Sequence, residues 1–147
     1  MSCFRQYAAM GMLVPIGLFS ASAQLSAETG QDAAVGDMKA LSRLEKGLWD
    51  VRERGSSPRD QRPARRYCVQ DMSRLMQINH DGVSCQHYIV SDGADKASIT
   101  YQCNGKGAGR TDLRVETPRL VQIETQGLAG GMPFSESLEA RYVGRCR

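Results

Sequence analysis

Residues 97–103 read Ala-Ser-Ile-Thr-Tyr-Gln-Cys, and this stretch decides the fold. Ala97, Ile99, Tyr101 and Cys103 fall on one side, and Ser98, Thr100 and Gln102 on the other. That period of two belongs to a strand with one buried face. The preceding strand, 86–90, is joined to it by Ser-Asp-Gly-Ala-Asp-Lys, whose Asp92-Gly93 pair marks a hairpin. The alternation then returns downstream. Leu113 and Val115 alternate with Asp112, Arg114 and Glu116, up to a turn at Thr117-Pro118. Val121 and Ile123 alternate with Gln122 and Glu124. Phe134, Leu138, Ala140 and Tyr142 oppose Ser135, Ser137, Glu139 and Arg141. The glycine-rich stretches 105–109 and 127–131 read as hairpin turns. No helix follows either one, so neither reads as a phosphate loop.

Upstream, Trp49 and Val51 alternate with Asp50 and Arg52, and Tyr67 and Val69 share a face opposite Cys68. A breaker-rich loop at 55–63 separates these two strands. The sum is an all-β chain: an antiparallel meander of about seven strands, with one apolar and one wet face. Such a sheet must cover its apolar face, by curling into a half-barrel or by packing one or two short helices on it. A parallel α/β fold is excluded, because no crossover helices lie between the strands. Met38, Leu41 and Leu44 predict a short helix from an Asp37 cap to Gly47. Met72, Leu75 and Met76 predict a second helical turn over 71–78.

The 147 residues carry a formal charge of +3 and few aromatics. A nucleic-acid partner would call for a stronger basic excess with aromatics beside it. Residues 7–19 are almost wholly apolar, follow Arg5, and lead to Ala21-Ser22-Ala23. This is the pattern of a secretory signal cleaved after Ala23, and it is too short to span a bilayer stably. Residues 1–23 are therefore expected to be the signal, 24–36 a flexible leader and 37–147 the folded body, located in the periplasm with no transmembrane segment. Cleavage would remove Cys3 and leave Cys68, Cys85, Cys103 and Cys146, an even set that reads as a disulfide framework. Four cysteines allow three pairings. Cys68–Cys85 with Cys103–Cys146 would clamp the helical insert and the C-terminus, although a hairpin centred near Ala94 also brings Cys85 and Cys103 together.

Gly47-Leu48-Trp49-Asp50-Val51 after a Leu-rich helix, the four cysteines, and the closing Tyr142-Val143-Gly144-Arg145-Cys146 resemble the bacterial family labelled domain of unknown function 3617. The resemblance spans residues 41–146. It implies a small exported periplasmic β protein and no established activity. The late strands are more charged than in many members, and Val69-Gln70-Asp71 stands where the family often has a Pro-Glu pair after its first cysteine.

No residue set forces a chemistry. There is no C-x-x-C pair for redox work and no G-x-S-x-G elbow. A zinc site would need Cys85 and His87 with Cys68 or Cys103. Glu124, Glu136 and Glu139 could face one another as glycosidase carboxylates, but wet-face carboxylates are the ordinary reading. His80, in the Asn79-His80-Asp81-Gly82 turn, is expected in solvent. No catalytic residue, metal or cofactor is assigned.

Two binding surfaces remain. Arg52, Arg54, Arg59, Arg62, Arg65 and Arg66 fall on two strands and their loop, offset by Glu53 and Asp60. Arginine suits bidentate contact with phosphate or carboxylate, so Arg52, Arg54, Arg62, Arg65 and Arg66 are a candidate patch for an anionic envelope component. Alternatively, an incompletely filled curled sheet could carry a small hydrophobic, lipid-like ligand against Trp49, Tyr67, Tyr88, Ile99, Tyr101, Phe134 and Tyr142. The leading expectation is a non-catalytic periplasmic protein that binds at the cell envelope.

Overall fold

The computed structural model describes residues 34–55 and 63–147. Seven strands form one antiparallel sheet: β1 (Gly47–Glu53), β2 (Arg65–Val69), β3 (Cys85–Asp92), β4 (Lys96–Cys103), β5 (Gly107–Thr117), β6 (Leu120–Ala129) and β7 (Met132–Gly144). The spatial order is β2-β1-β7-β6-β5-β4-β3, and the sheet does not close into a barrel. The run β3 to β7 is a plain meander. The β1–β2 hairpin is added beside β7, so β2 and β3, consecutive in the chain, are the two edges. The chain crosses between them through η3, a 3-10 helix over Met72–His80.

The buried face matches the alternation read from the sequence. Trp49, Val51, Val69, Ile99, Leu113, Val121, Ile123, Leu138 and Ala140 are all buried. Against them pack η3 and two shorter 3-10 turns, η1 (Val35–Asp37) and η2 (Leu41–Arg43). The helix expected from Asp37 to Gly47 is thus replaced by these two turns. Met38, Leu41 and Leu44 recur every third residue, as do Met72, Leu75 and Ile78. Met38 and Leu44 follow the two turns in non-helical backbone, and η3 is kinked at Gln77 (φ −130°, ψ 40°), so short turns rather than one continuous helix bring these side chains to the core. All six are buried, so the core residues are those expected although the helix type differs. Val35, inside the stretch read as leader, is buried with them.

Two side chains pin η3. Asp71 accepts the Ser73 backbone N–H at its start (2.9 Å). Arg74 grips both Asp81 oxygens (2.7 and 2.6 Å) and donates to the Cys68 carbonyl (2.7 Å), tying the helix to β2. The glycine-rich stretches are mostly strand, contrary to the expectation of turns. Gly107, Ala108 and Gly109 belong to β5, and Gly127, Leu128 and Ala129 to β6. A side chain on Gly109 would meet the Tyr101 hydroxyl at 2.5 Å, and one on Gly127 would overlap the Ala108 carbonyl oxygen. Glycine here permits a close strand approach rather than a reversal of the chain.

Candidate functional site

The two disulfides are Cys68–Cys146 and Cys85–Cys103, not the clamp of Cys68–Cys85 with Cys103–Cys146 that the sequence favoured. Register explains both. Cys85 and Cys103 are directly opposite on β3 and β4. Leu48 pairs with both Cys68 and Gly144, and β1 begins one residue earlier at Gly47. The tail after Gly144 therefore passes the start of β1 and meets Cys68 on the edge strand. With Cys85 bonded to Cys103, the zinc set with His87 is not available. Among the described residues, no group of three or more His, Cys, Asp or Glu side chains could hold a metal.

Each arginine of the proposed patch that the structure describes has a carboxylate within reach. Asp50 receives Arg66 (3.0 Å) and Arg52 (3.6 Å). Arg54 pairs with Glu124 across to β6, and Arg65 with Glu136 on β7 (3.2 Å). Arg141 holds Glu139 (2.6 Å), so the three candidate glycosidase carboxylates are also engaged. Arg59 and Arg62 lie outside the described residues. The partners come from three strands: Asp50 lies on β1 itself, Glu124 on β6 and Glu136 on β7, the last in phase with the buried Leu138. These exposed pairs are worth at most about 1 kcal/mol each, and Arg52 and Arg66 share the single carboxylate of Asp50.

The residues proposed to line a ligand space divide. Trp49, Ile99 and Tyr101 are buried in the packed core, and Tyr67 and Tyr142 pack against it. Trp49 Nε1 donates to the Glu45 carbonyl (3.0 Å), and its ring meets Tyr142 edge-on. Tyr88 is on the opposite, wet face, 61 % exposed, because it falls in phase with Gln86 and Val90 rather than with Cys85, His87 and Ile89.

His80 is buried rather than solvated. Its Nδ1 lies 3.2 Å from the Tyr101 hydroxyl and its Nε2 lies 3.3 Å from the Lys106 carbonyl. His87 faces inward from edge strand β3, where its Nε2 meets Gln77 Oε1 at 2.6 Å. Gln77 uses its amide nitrogen on the carbonyls of His80 (3.3 Å) and Val83 (3.0 Å), so its oxygen accepts and His87 Nε2 donates. Burial pushes the His87 pKa down, and nearby Asp71 opposes that shift.

The feature that sequence reasoning missed is a groove on the wet face. Register sets Tyr88, Thr100, Arg110, Gln126 and Ser135 in one transverse row across β3 to β7. The next row is Gln86, Gln102, Ala108, Leu128 and Pro133. Between and beneath them, Ala108, Gly109 and Gly127 leave the floor low. The result is an open groove of about 660 Å³. Leu128, 49 % exposed, joins Tyr88 as its apolar wall. Arg110 is held by both oxygens of Asp112 (2.9 Å each) and by Ser98 (2.9 Å). The one-dimensional signal was present in the small residues of β5 and β6, but their meaning depends on register with β3.

No family model matches the chain, and no curated protein or solved structure matches it.

Proposed function

We propose that this chain is a small, non-catalytic periplasmic protein, exported by a signal cleaved after Ala23, that binds a component of the cell envelope through the outer face of its sheet. On this reading it belongs with the family labelled domain of unknown function 3617. The apolar segment 7–19 and its Ala-Ser-Ala boundary support export. Two disulfides are compatible with an oxidising compartment. Among the described residues, no helix is long and apolar enough to cross a membrane. The Gly-Leu-Trp-Asp-Val opening has a packing role that suits a family signature. A side chain at Gly47 would run into the Gly144 carbonyl and the Tyr142 ring, while Trp49 fills the core beside it.

The observation that carries the binding reading is the groove. An exposed tyrosine and leucine stand beside a line of polar side chains, Thr100, Gln126 and Ser135 with Arg110 held by Asp112 and Ser98. Exposed apolar side chains gathered at a concavity mark binding surfaces more often than isolated ones do. The test is co-sedimentation of the purified protein with isolated cell envelopes. The double substitution Tyr88→Ala with Leu128→Ser is expected to lower the bound fraction several-fold, and Arg65→Gln with Arg66→Gln to leave it near the starting value. Undiminished retention by the first variant would remove the groove from the reading. Release by the second alone would return the function to the arginine surface.

A further inference from the structure

We infer that the ligand class of this groove is a neutral oligosaccharide; the inference rests on the binding reading above and names its ligand. Four observations converge. Tyr88 stands at the edge of the sheet with most of its ring in solvent. A ring of this kind has an electron-rich face that packs against C–H groups while its hydroxyl stays wet, and the C–H faces of pyranose rings fit it.

Beyond Tyr88, the row continues as Thr100, Arg110, Gln126 and Ser135. Each offers a hydroxyl, amide or guanidinium, groups that donate or accept without carrying a negative charge. At about 4.8 Å between strands, the five positions span about 19 Å. A ligand that satisfies them must present polar groups repeatedly along an extended body. A chain of sugar rings does this, whereas a single small molecule reaches only part of the row.

Charge then separates candidates. Arg110 is the row's one cation, and Asp112 already neutralises it with two hydrogen bonds. Its Nη1 keeps donor capacity, but the row has no net charge to hold a phosphate or a carboxylate. Phospholipid head groups and acidic polymers are therefore disfavoured relative to a neutral chain. Shape separates the rest. The groove is open along its length, so it cannot take an acyl chain out of water as an enclosed cavity does. It also lies on the face of the sheet, away from the unpaired backbone of the β3 edge that an added peptide strand would use.

The experiment is an NMR titration of the isotopically labelled, exported protein with three neutral tetrasaccharides: β-1,4-linked N-acetylglucosamine, β-1,4-linked glucose and α-1,4-linked glucose. Vesicles of phosphatidylglycerol with phosphatidylethanolamine and an uncharged decapeptide serve as comparison probes. At least one tetrasaccharide is expected to shift the Tyr88 backbone signal and the side-chain amides of Gln102 and Gln126. Tyr88→Ala should weaken that binding about tenfold and Tyr88→Phe should largely retain it, as ring stacking requires. If no tetrasaccharide shifts these signals, the saccharide assignment is overturned. If vesicles or the decapeptide shift them instead, the saccharide class falls while the groove remains the binding surface. If no probe shifts them and envelope retention also survives Tyr88→Ala with Leu128→Ser, both readings fall together.

Discussion

The imidazole of His80 bridges the Tyr101 hydroxyl on Nδ1 and the Lys106 carbonyl on Nε2, linking the end of η3 to β4 and to the β4–β5 turn. The carbonyl can only accept, so Nε2 carries a proton, and in the neutral ring Nδ1 accepts from Tyr101. A buried polar link therefore runs from η3 to β4 through the apolar core. Elsewhere in the core, the hydroxyls of Thr111 and Thr125 pair with each other at 2.9 Å. Tyr101→Phe would leave Nδ1 without its donor and should cost about 1–2 kcal/mol. His80→Ala removes both bonds and opens a cavity, and should cost about 2–4 kcal/mol. Urea unfolding of the two single variants and the double variant should give a coupling of about 1 kcal/mol. Additive losses would mean that the pair is only adjacent.

His87 gives the molecule a pH dependence of definite sign. Burial lowers its folded-state pKa below the ordinary value, so the unfolded chain binds the proton more readily. Stability is then complete above the unfolded value of about 6.5 and is lost as pH falls from there through the depressed folded value. Asp81 acts in a separate window. The hydrogen bond from Arg74 holds its carboxyl below the usual carboxylate range, so its contribution is lost only at more acid pH. Urea midpoints compared at about pH 7.5 and about pH 5 should fall for the unaltered protein. They should fall less for His87→Asn. An identical fall in both would place the titration elsewhere.

Gly127 is required by contact rather than by dihedral angle. A Cβ there would overlap the Ala108 carbonyl and crowd Gly109 Cα at 2.7 Å, both backbone atoms with no rotamer to yield. Gly127→Ala should therefore destabilise by about 2 kcal/mol or more. Gly130, in the β6–β7 turn at φ 58°, has open space around its Cβ position. Its replacement by alanine meets only the left-handed backbone penalty, about 1 kcal/mol. Thermal melts of the two variants should rank them in that order; the reverse ranking would mean that the strands can separate at no cost.

The strands were legible because their signal is local. Ala97, Ile99 and Tyr101 announce a buried face without reference to any other segment, and Trp49, Ile123 and Leu138 do the same. What failed depended on partners far along the chain. His80 looks like a solvated turn residue until β4 and the β4–β5 turn supply Tyr101 and Lys106. Tyr88 is ambiguous because β3 has apolar side chains on both faces, Tyr88 and Val90 on one and Ile89 on the other. Arg52, Arg65 and Arg66 were correctly placed on β1 and β2, but nothing nearby in sequence announced that Glu124 and Glu136 would lie beside Arg54 and Arg65. The disulfides failed for a related reason: a clamp around the helical insert is the local solution, whereas β2 and β3 are opposite edges of the sheet.

Those edges make the disulfides unequal. Cys85–Cys103 closes a short span of 18 residues within one hairpin whose ladder already holds it. Cys68–Cys146 closes 78 residues, joining edge strand β2 to the C-terminal tail. Chain entropy assigns about 3 kcal/mol to the first and about 4.5 kcal/mol to the second. Replacing Cys68 and Cys146 together by serine should thus lower the urea-unfolding free energy more than replacing Cys85 and Cys103. The pattern of local opening should differ too. Loss of Cys68–Cys146 should speed amide exchange in β2 and at the start of β1, where β2 has a partner on one side only. Loss of Cys85–Cys103 should speed exchange in β3 and leave β2 protected. If both variants lose equal stability and open the same strands, the sheet unfolds as one unit, and the longer closure confers no advantage at its edge.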